Sequence, residues 1–379
     1  MDTFGDMEHV VYRTRMDRVR EEMKKQGIGL FLAGPSSNLF YLTGYAVHGD
    51  ERLFLLALPV EGEPFILANV LYRDQAPAGE LVLWNDGEDP FALLKREIEG
   101  RRWSVTRIAL EARIPALFSL PLAERFPASA FVLGSPLTDP LRLRKDKGEI
   151  DLIRRASGIA DQALAALINR GRYWLGKTEA QFRDALVAEL AAGGVKAWDL
   201  IVAAGSNGAV PHHVTGHSPI EAGKGLLVDF GGSLEGYYTD CTRTFHFGRP
   251  GAEFEKVYNI VLEAHLAAEA AAKPGNVLGD VDLAARSVIE KAGYGPYFTH
   301  RTGHGLGIDL HEGASAARGE TTPIVPGMVF SIEPGVYISG RLGVRIENLV
   351  AIGPEGPEVL HRFPRDLGHC IVPCGAVIE

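Results

Sequence analysis

Residues 226–230 read Leu-Leu-Val-Asp-Phe. As a strand, this run turns Leu226, Val228 and Phe230 to one side and Leu227 and Asp229 to the other. Both faces are apolar except for one acid. A carboxylate there is expensive to bury unless it is paired or bound to a cation. Gly231-Gly232 and Gly236 let the chain turn back, and Asp240 arrives on the returning strand. The arrangement recurs downstream. Glu333 sits in Val-Phe-Ser-Ile-Glu-Pro-Gly, a loop with Gly340 and Gly343 follows, and Glu347 lies in Gly-Val-Arg-Ile-Glu-Asn. The sequence thus predicts two hairpins, each carrying two carboxylates. A salt-bridged core would also explain them.

A third element is Thr302-Gly303-His304-Gly305-Leu306-Gly307. It lacks the Lys-Ser/Thr of a phosphate loop and the glycine spacing of a dinucleotide site. Glycines flanking a histidine allow close backbone approach to something bound there. A plain turn with a surface histidine is the other reading. Four carboxylates brought together would repel and stay partly protonated. Two divalent cations would neutralise them, with one neutral imidazole completing the set. Oxygen donors with a single imidazole suit Mn²⁺-like ions, with Co²⁺ or Zn²⁺ also fitting. Two ions about 3.5–4 Å apart can share a hydroxide and polarise a carbonyl.

A chain of 379 residues has room for two or three domains. Residues 1–138 read as a small α/β domain. The pattern predicts a helix over Arg15–Lys25 and strands at Ile28–Ala33, Leu53–Pro59, Phe65–Asn69, Leu81–Trp84, Arg107–Glu111 and Ala130–Leu133. Ser135-Pro136 and Asp139-Pro140 read as a linker. Residues 139–379 form the second domain. Helices are expected at Glu149–Arg170 and from a Thr178/Gln181 capping box to about Ala192. Strands at Leu226–Phe230 and Tyr237–Phe247 follow. Helices at Glu253–Ala272 and Gly279–Ala292 come next, then strands at Val329–Glu333 and Val344–Ala351. Helix–helix–strand–strand therefore occurs twice in an α+β chain, either as an internal repeat or by chance.

Hydrophobic residues at 46% and charged residues at 23% exclude a disordered chain. No apolar run reaches the ~18–20 residues of a membrane helix. The net charge of −9 argues against a nucleic-acid partner. The segment Met1–Val10 has neither a basic nor an apolar signal region, and the three cysteines show no pairing motif. A cytoplasmic location is expected.

Five segments carry a resemblance: Val228-Asp-Phe-Gly231, Thr239-Asp-Cys-Thr-Arg-Thr244, Gly303-His-Gly-Leu-Gly307 followed by His311-Glu312, Ser331-Ile-Glu-Pro-Gly335, and Gly343-Val-Arg-Ile-Glu-Asn348. In this order they resemble the creatinase/prolidase/methionine aminopeptidase superfamily. Glu149–Arg154 and Asn38–Gly44 extend the resemblance, the latter to the N-terminal domain of prolidases and aminopeptidases P. The resemblance implies a pita-bread catalytic domain with a pseudo-twofold repeat behind that N-terminal domain. It implies two divalent ions held by Asp229, Asp240, His304, Glu333 and Glu347, with Asp240 and Glu347 bridging. A hydroxide shared by the ions would attack, and Glu333 would shuttle the proton. His212 and His311 would bind substrate and the oxyanion, and Arg345 would orient a carboxylate or contact substrate. His213 is ambiguous, and His300 is near the substrate pocket in prolidase-like members or simply a core residue.

The implied substrate is a small peptide with proline second, and the implied assembly a homodimer. An Xaa-Pro dipeptidase is the leading reading and an Xaa-Pro aminopeptidase the alternative. Further alternatives are a non-peptide amidase and a non-catalytic binding module. Arg318 is a candidate clamp for a substrate carboxylate, or a solvated surface residue. Cys241 is expected to point into the core, away from the metals.

Overall fold

The computed structural model describes residues 3–74 and 79–374, with side chains from residue 10 onward. Met1 and Asp2 of the acidic N-terminal stretch lie outside the described residues. The chain divides into two compact units after Leu141.

The first unit is built on a six-stranded sheet: β1 (Leu30–Ala33), β2 (Leu55–Pro59), β3 (Phe65–Asn69), β4 (Glu80–Trp84), β5 (Arg107–Leu110) and β6 (Ala130–Leu133). The spatial order is β4-β3-β2-β1-β5-β6. The central three are buried along their whole length, which is why they read as continuous apolar runs. Helices α1 (Thr3–Gln26), α2 (Ser37–Thr43), α3 (Pro90–Gly100) and α4 (Ala116–Arg125) complete the unit. Leu94, Ile98, Phe118 and Leu122 from α3 and α4 pack on Leu30, Leu32, Leu67 and Ile108. The expected linker is instead a helix, α5 (Ser135–Leu143). Pro136 falls in its first turn, where a missing N–H costs nothing, so it starts the helix rather than preventing one.

The second unit opens with α6 (Lys147–Ile168) and α7 (Glu179–Ala192). The Thr178/Gln181 capping box is present as expected, and a second one, Asp146 with Glu149, starts α6. Next come β7 (Lys196–Ala197), β8 (Ile201–Ala204), β9 (Gly225–Leu234) and β10 (Tyr237–Phe247), then α8 (Ala252–Ala271) and α9 (Leu278–Lys291). The remaining strands are β11 (Gly303–Gly305), β12 (Glu312–Ala316), β13 (Val329–Ile332), β14 (Gly335–Ile338), β15 (Leu342–Arg345), β16 (Asn348–Ile352), β17 (Pro357–Val359) and, after α10 (Leu367–Cys370), β18 (Ile371–Val372). One sheet runs β18-β10-β9-β7, with β8 also on β9; a second runs β12-β11-β13-β16-β17, and β14 and β15 pair as a third. A single core joins them: Val228, Phe230, Phe245, Phe330, Ile332 and Ile346 cluster with Leu164, Phe182, Val257 and Ile289 of the helices. No described helix is long and apolar enough to cross a membrane.

The second acid pair departs from the simple hairpin. The strand expected over Val344–Ala351 is two strands, β15 and β16. β13 pairs with β16 as far as Ile332 opposite Asn348, and pairing resumes at Gly335 opposite Arg345. Both strands advance three residues between these points, so the register is continuous across a gap. Pro334, which has no N–H to give a ladder, sits in that gap. Glu333 and Glu347 therefore occupy opposed positions where the ladder opens.

Phe230 is fully buried on the strand face opposite Asp229. Phe230→Ala is expected to cost about 3–5 kcal/mol, read as a lowered urea midpoint with unchanged slope.

Candidate metal centre

In the β9–β10 ladder Asp229 stands opposite Thr242. Asp240 is two residues from Thr242, so both acids share one face. Phe230 and Cys241 take the other face and are buried in the core. The Thr242 hydroxyl donates to Glu347 Oε2 at 2.6 Å, which ties the first hairpin to the gap in the second.

His304 comes from β11, where it stands opposite Ser315 of β12. A Cβ at Gly303 would lie 1.8 Å from the Ser331 carbonyl, and one at Gly305 2.1 Å from the Glu312 carbonyl. The flanking glycines thus admit neighbouring backbone, not a bound group as the sequence suggested. Ser331 Oγ accepts the His304 N–H at 2.9 Å and donates to Glu333 Oε1 at 3.2 Å. His304 Nε2 lies 3.6 Å from Asp240 Oδ2 and 3.4 Å from Glu333 Oε1. Donor atoms of Asp240, His304 and Glu347 all lie within 4.8 Å of one another.

Asp229 Oδ1, Asp240 Oδ1 and Glu347 Oε1 are buried without a hydrogen-bond partner among the described residues. Buried carboxylate oxygens left unsatisfied are costly, and divalent cations would satisfy all three. Burial, then the charges of Glu347, Asp229 and Glu333, push the Asp240 carboxyl well above the usual range. Burial, then Glu333 and Asp229, do the same to Glu347. Burial raises Glu333 to about 7, against the opposing charge of Arg345. Burial and neighbouring His311 push His304 down to about 3, which keeps its imidazole neutral and able to ligate. The donor set fits two hard divalent ions.

Asp161, Cys241 and His361 form a second cluster of metal-capable side chains. There each group already has a partner, Cys241 Sγ donating to the Glu347 carbonyl at 3.3 Å. His361 Nδ1 is 2.9 Å from Asp161 Oδ1, and the backbone N–H groups of Arg362 and Phe363 donate to Asp161 Oδ2. Cys370 and Cys374 are free thiols.

Arg345 is buried behind the acids. Its Nε donates to Thr242 Oγ1 at 3.0 Å, one terminal nitrogen to Tyr337 Oη at 2.9 Å, and the other to Asp229 Oδ2 at 2.5 Å. Tyr337 Oη lies 2.8 Å from His300 Nε2, and His300 Nδ1 is 2.7 Å from the Arg301 carbonyl. Burial lowers His300 to about 4, so the ring is neutral. Its Nδ1–H donates to the carbonyl, and its Nε2 accepts from the Tyr337 hydroxyl.

The His311 ring packs against the His304 ring, with centroids 4.1 Å apart. Burial, then the charges of Arg301 and His212, lower the His311 pKa. His212 is exposed, and its charge bears on both His300 and His311. Its neighbour is different: His213 Nε2 lies 2.9 Å from Glu179 Oε2, a carboxylate also fixed by Ala204 N, Asn207 and Gly216 N. Arg318 pairs with Glu290 at 2.7 Å, both exposed, and takes no part in the carboxylate set. Thr242, Ser331 and Tyr337 were missed in the sequence. Thr242 had a signal, its place opposite Asp229 once the hairpin register is set.

Residues 151–354 match metallopeptidase family M24, and residues 15–144 match the creatinase/prolidase N-terminal domain. The chain belongs to metallopeptidase family M24. It is a peptidase, and membership of that family implies divalent metal ions. The M24 match spans all five candidate ligands. Among solved structures the chain is similar to dipeptidase PepE from Mycobacterium ulcerans, at 33% identity and TM-score 0.89, covering 96% of this chain and 98% of that one. It is similar to a prolidase from Thermococcus sibiricus at 36% identity and TM-score 0.89, covering 95% and 98%. It is also similar to an X-Pro aminopeptidase from Thermotoga maritima, at 28% and 0.83, covering 94% and 99%.

In the metal-free M24 site Glu333 is raised to about 7, so it is largely protonated at pH 6, and Asp240 and Glu347 are also raised above the usual carboxylate range. Cations bind the deprotonated groups, so binding must displace those protons. Calorimetry in buffers of different ionisation enthalpy should show net proton release on Mn²⁺ binding at pH 6. Affinity should rise from pH 6 to pH 8. Binding without proton exchange would contradict this electrostatic picture.

Proposed function

We propose that the chain is an Xaa-Pro dipeptidase acting through two divalent cations, with Mn²⁺ the ion best suited to the donors. The observation that carries this reading is the set of three buried, unpartnered carboxylate oxygens around a neutral His304. Asp229, Asp240, His304, Glu333 and Glu347 would hold the ions. When bound, the ions supply Lewis acidity to the scissile carbonyl and lower the pKa of water.

The chain's own groups do the rest. Glu333, whose Oε1 lies 3.4 Å from His304 Nε2, would take a proton from the attacking water and give it to the proline nitrogen. His311, packed on His304, and His212 would donate hydrogen bonds to the oxyanion that forms on the carbonyl oxygen. Arg345 holds Asp229 directly and Glu347 through Thr242, which fixes both carboxylates before substrate arrives. Proline at the second position makes the scissile bond a tertiary amide with no N–H to recognise. The higher likeness to the dipeptidase and prolidase structures than to the X-Pro aminopeptidase supports the dipeptide reading.

Glu333→Ala and Asp240→Asn should each lower turnover of Ala-Pro by about 10²–10⁴-fold or more, with far-UV circular dichroism unchanged. Wild-type-like turnover by either variant in Mn²⁺ would sink the two-metal assignment. Wild-type cleavage of Ala-Pro-Ala with little cleavage of Ala-Pro would make the enzyme an Xaa-Pro aminopeptidase instead.

A further inference from the structure

His212, one of the two groups that would stabilise the oxyanion, is an exposed side chain. It sits between β8 and β9, on a loop that carries none of the five candidate metal ligands. An exposed imidazole helps a transition state only where its backbone is held in place. A misplacement of about 1 Å can cost roughly 10²-fold in rate. The loop opens with a short 3₁₀ turn, Gly205–Ala209. Val210 and Val214, on either side of His212, are exposed, so core packing does not fix this stretch.

A buried carboxylate holds it instead. Glu179 is the first residue of α7, and its side chain is fully buried. Its Oε1 accepts from the Ala204 N–H at 2.7 Å and from Asn207 Nδ2 at 2.8 Å. Its Oε2 accepts from the Gly216 N–H at 2.9 Å and from His213 Nε2 at 2.9 Å. Four donors, spread from residue 204 to residue 216, thus converge on one side chain. Burial works against the charged form, but these donors outweigh it and hold the carboxyl below its usual range. Backbone bonds add to the attachment. The Glu179 N–H donates to the Ser218 carbonyl and the Ala180 N–H to the Gly216 carbonyl.

The other side of the loop meets the metal centre. The Pro211 carbonyl accepts from Arg345 at 3.4 Å. A Cβ at Gly343 would lie 1.8 Å from the Gly208 carbonyl, so β15 and the loop touch backbone to backbone. The His213 N–H donates to the Val210 carbonyl at 3.1 Å, which closes a four-residue turn with His212 at its third position. His212 therefore lies between Pro211, touched by Arg345, and His213, fixed by Glu179. Its charge bears on His300 and His311, the histidines nearest the acids after His304.

We propose that Glu179, acting through His213, is a positioning residue for the reaction and holds the turn that presents His212 to the scissile carbonyl. This rests on the oxyanion role given to His212 above. Glu179 touches neither the metal ligands nor the proton path, so its loss should loosen the loop and spare the metal centre. Glutamine at this position keeps the size of the side chain. It replaces one acceptor oxygen with an NH₂ group, which cannot accept from Gly216 and His213.

Steady-state kinetics in Mn²⁺ test this on whichever of Ala-Pro and Ala-Pro-Ala the wild type cleaves. The variants are Glu179→Gln, His213→Ala, His213→Gln and His212→Ala, with each of Glu179→Gln and His213→Ala also combined with His212→Ala. Glu179→Gln and His213→Ala should each lower kcat by roughly 10- to 100-fold, with KM within a few-fold and Mn²⁺ affinity unchanged. His213→Gln, whose amide can still donate to Glu179, should restore part of the loss. In the His212→Ala background, Glu179→Gln should cost no more than about twofold further, because no imidazole is left to position. Wild-type kcat in Glu179→Gln, or the same loss with and without His212, would overturn the assignment. Should Glu179→Gln fail to fold, His213→Ala alone and with His212→Ala decides by the same criterion. Cleavage of Ala-Pro-Ala in place of Ala-Pro would overturn the dipeptide reading alone, with Glu179 judged on the tripeptide. Cleavage of neither by the wild type would overturn both.

Discussion

One buried guanidinium organises the centre. Arg345 reaches Asp229 on β9, Thr242 on β10 and Tyr337 on β14, and through Thr242 it also sets Glu347. Both acidic hairpins are thereby referenced to one side chain. The arrangement is costly in itself, because a buried ion pair recovers its desolvation only when its remaining hydrogen bonds are made. Here all three nitrogens are used. Removing one partner of such a pair typically costs about 3–5 kcal/mol, so the contacts of Arg345 stand or fall together.

The same logic explains why the centre is incomplete as protein alone. Arg345 neutralises one carboxylate of four. Burial and the neighbouring carboxylates push the Asp240 and Glu347 pKa upward, and one oxygen each of Asp229, Asp240 and Glu347 stays unpartnered among the described residues. A fold that places like charges so close, on rigid strands with a single core behind them, has reserved the position for cations. The histidines around it are kept neutral by burial, so they can ligate or donate without adding charge.

The two pairs of acids were legible because Asp and Glu inside apolar strands have few inexpensive explanations. The helices were legible where capping residues announced them, as at Thr178 and Gln181. Other features depended on contacts between distant segments. Which of two adjacent histidines is structural is decided by Glu179, 34 residues before His213. The opposed placement of Glu333 and Glu347 depends on a ladder that Pro334 interrupts, and periodicity alone smoothed this into one strand. Pro136 and Pro140 read as punctuation but lie within α5. Tyr337 looked like any aromatic in a strand until His300 and Arg345 met at its hydroxyl.

The central claim is that this arrangement exists to hold two cations side by side. Anomalous diffraction from crystals grown with Mn²⁺ tests it most directly. The account predicts two peaks per chain, both among Asp229, Asp240, His304, Glu333 and Glu347, with Asp240 and Glu347 touching both. A single peak, or density at Asp161, Cys241 and His361 in their place, would contradict it.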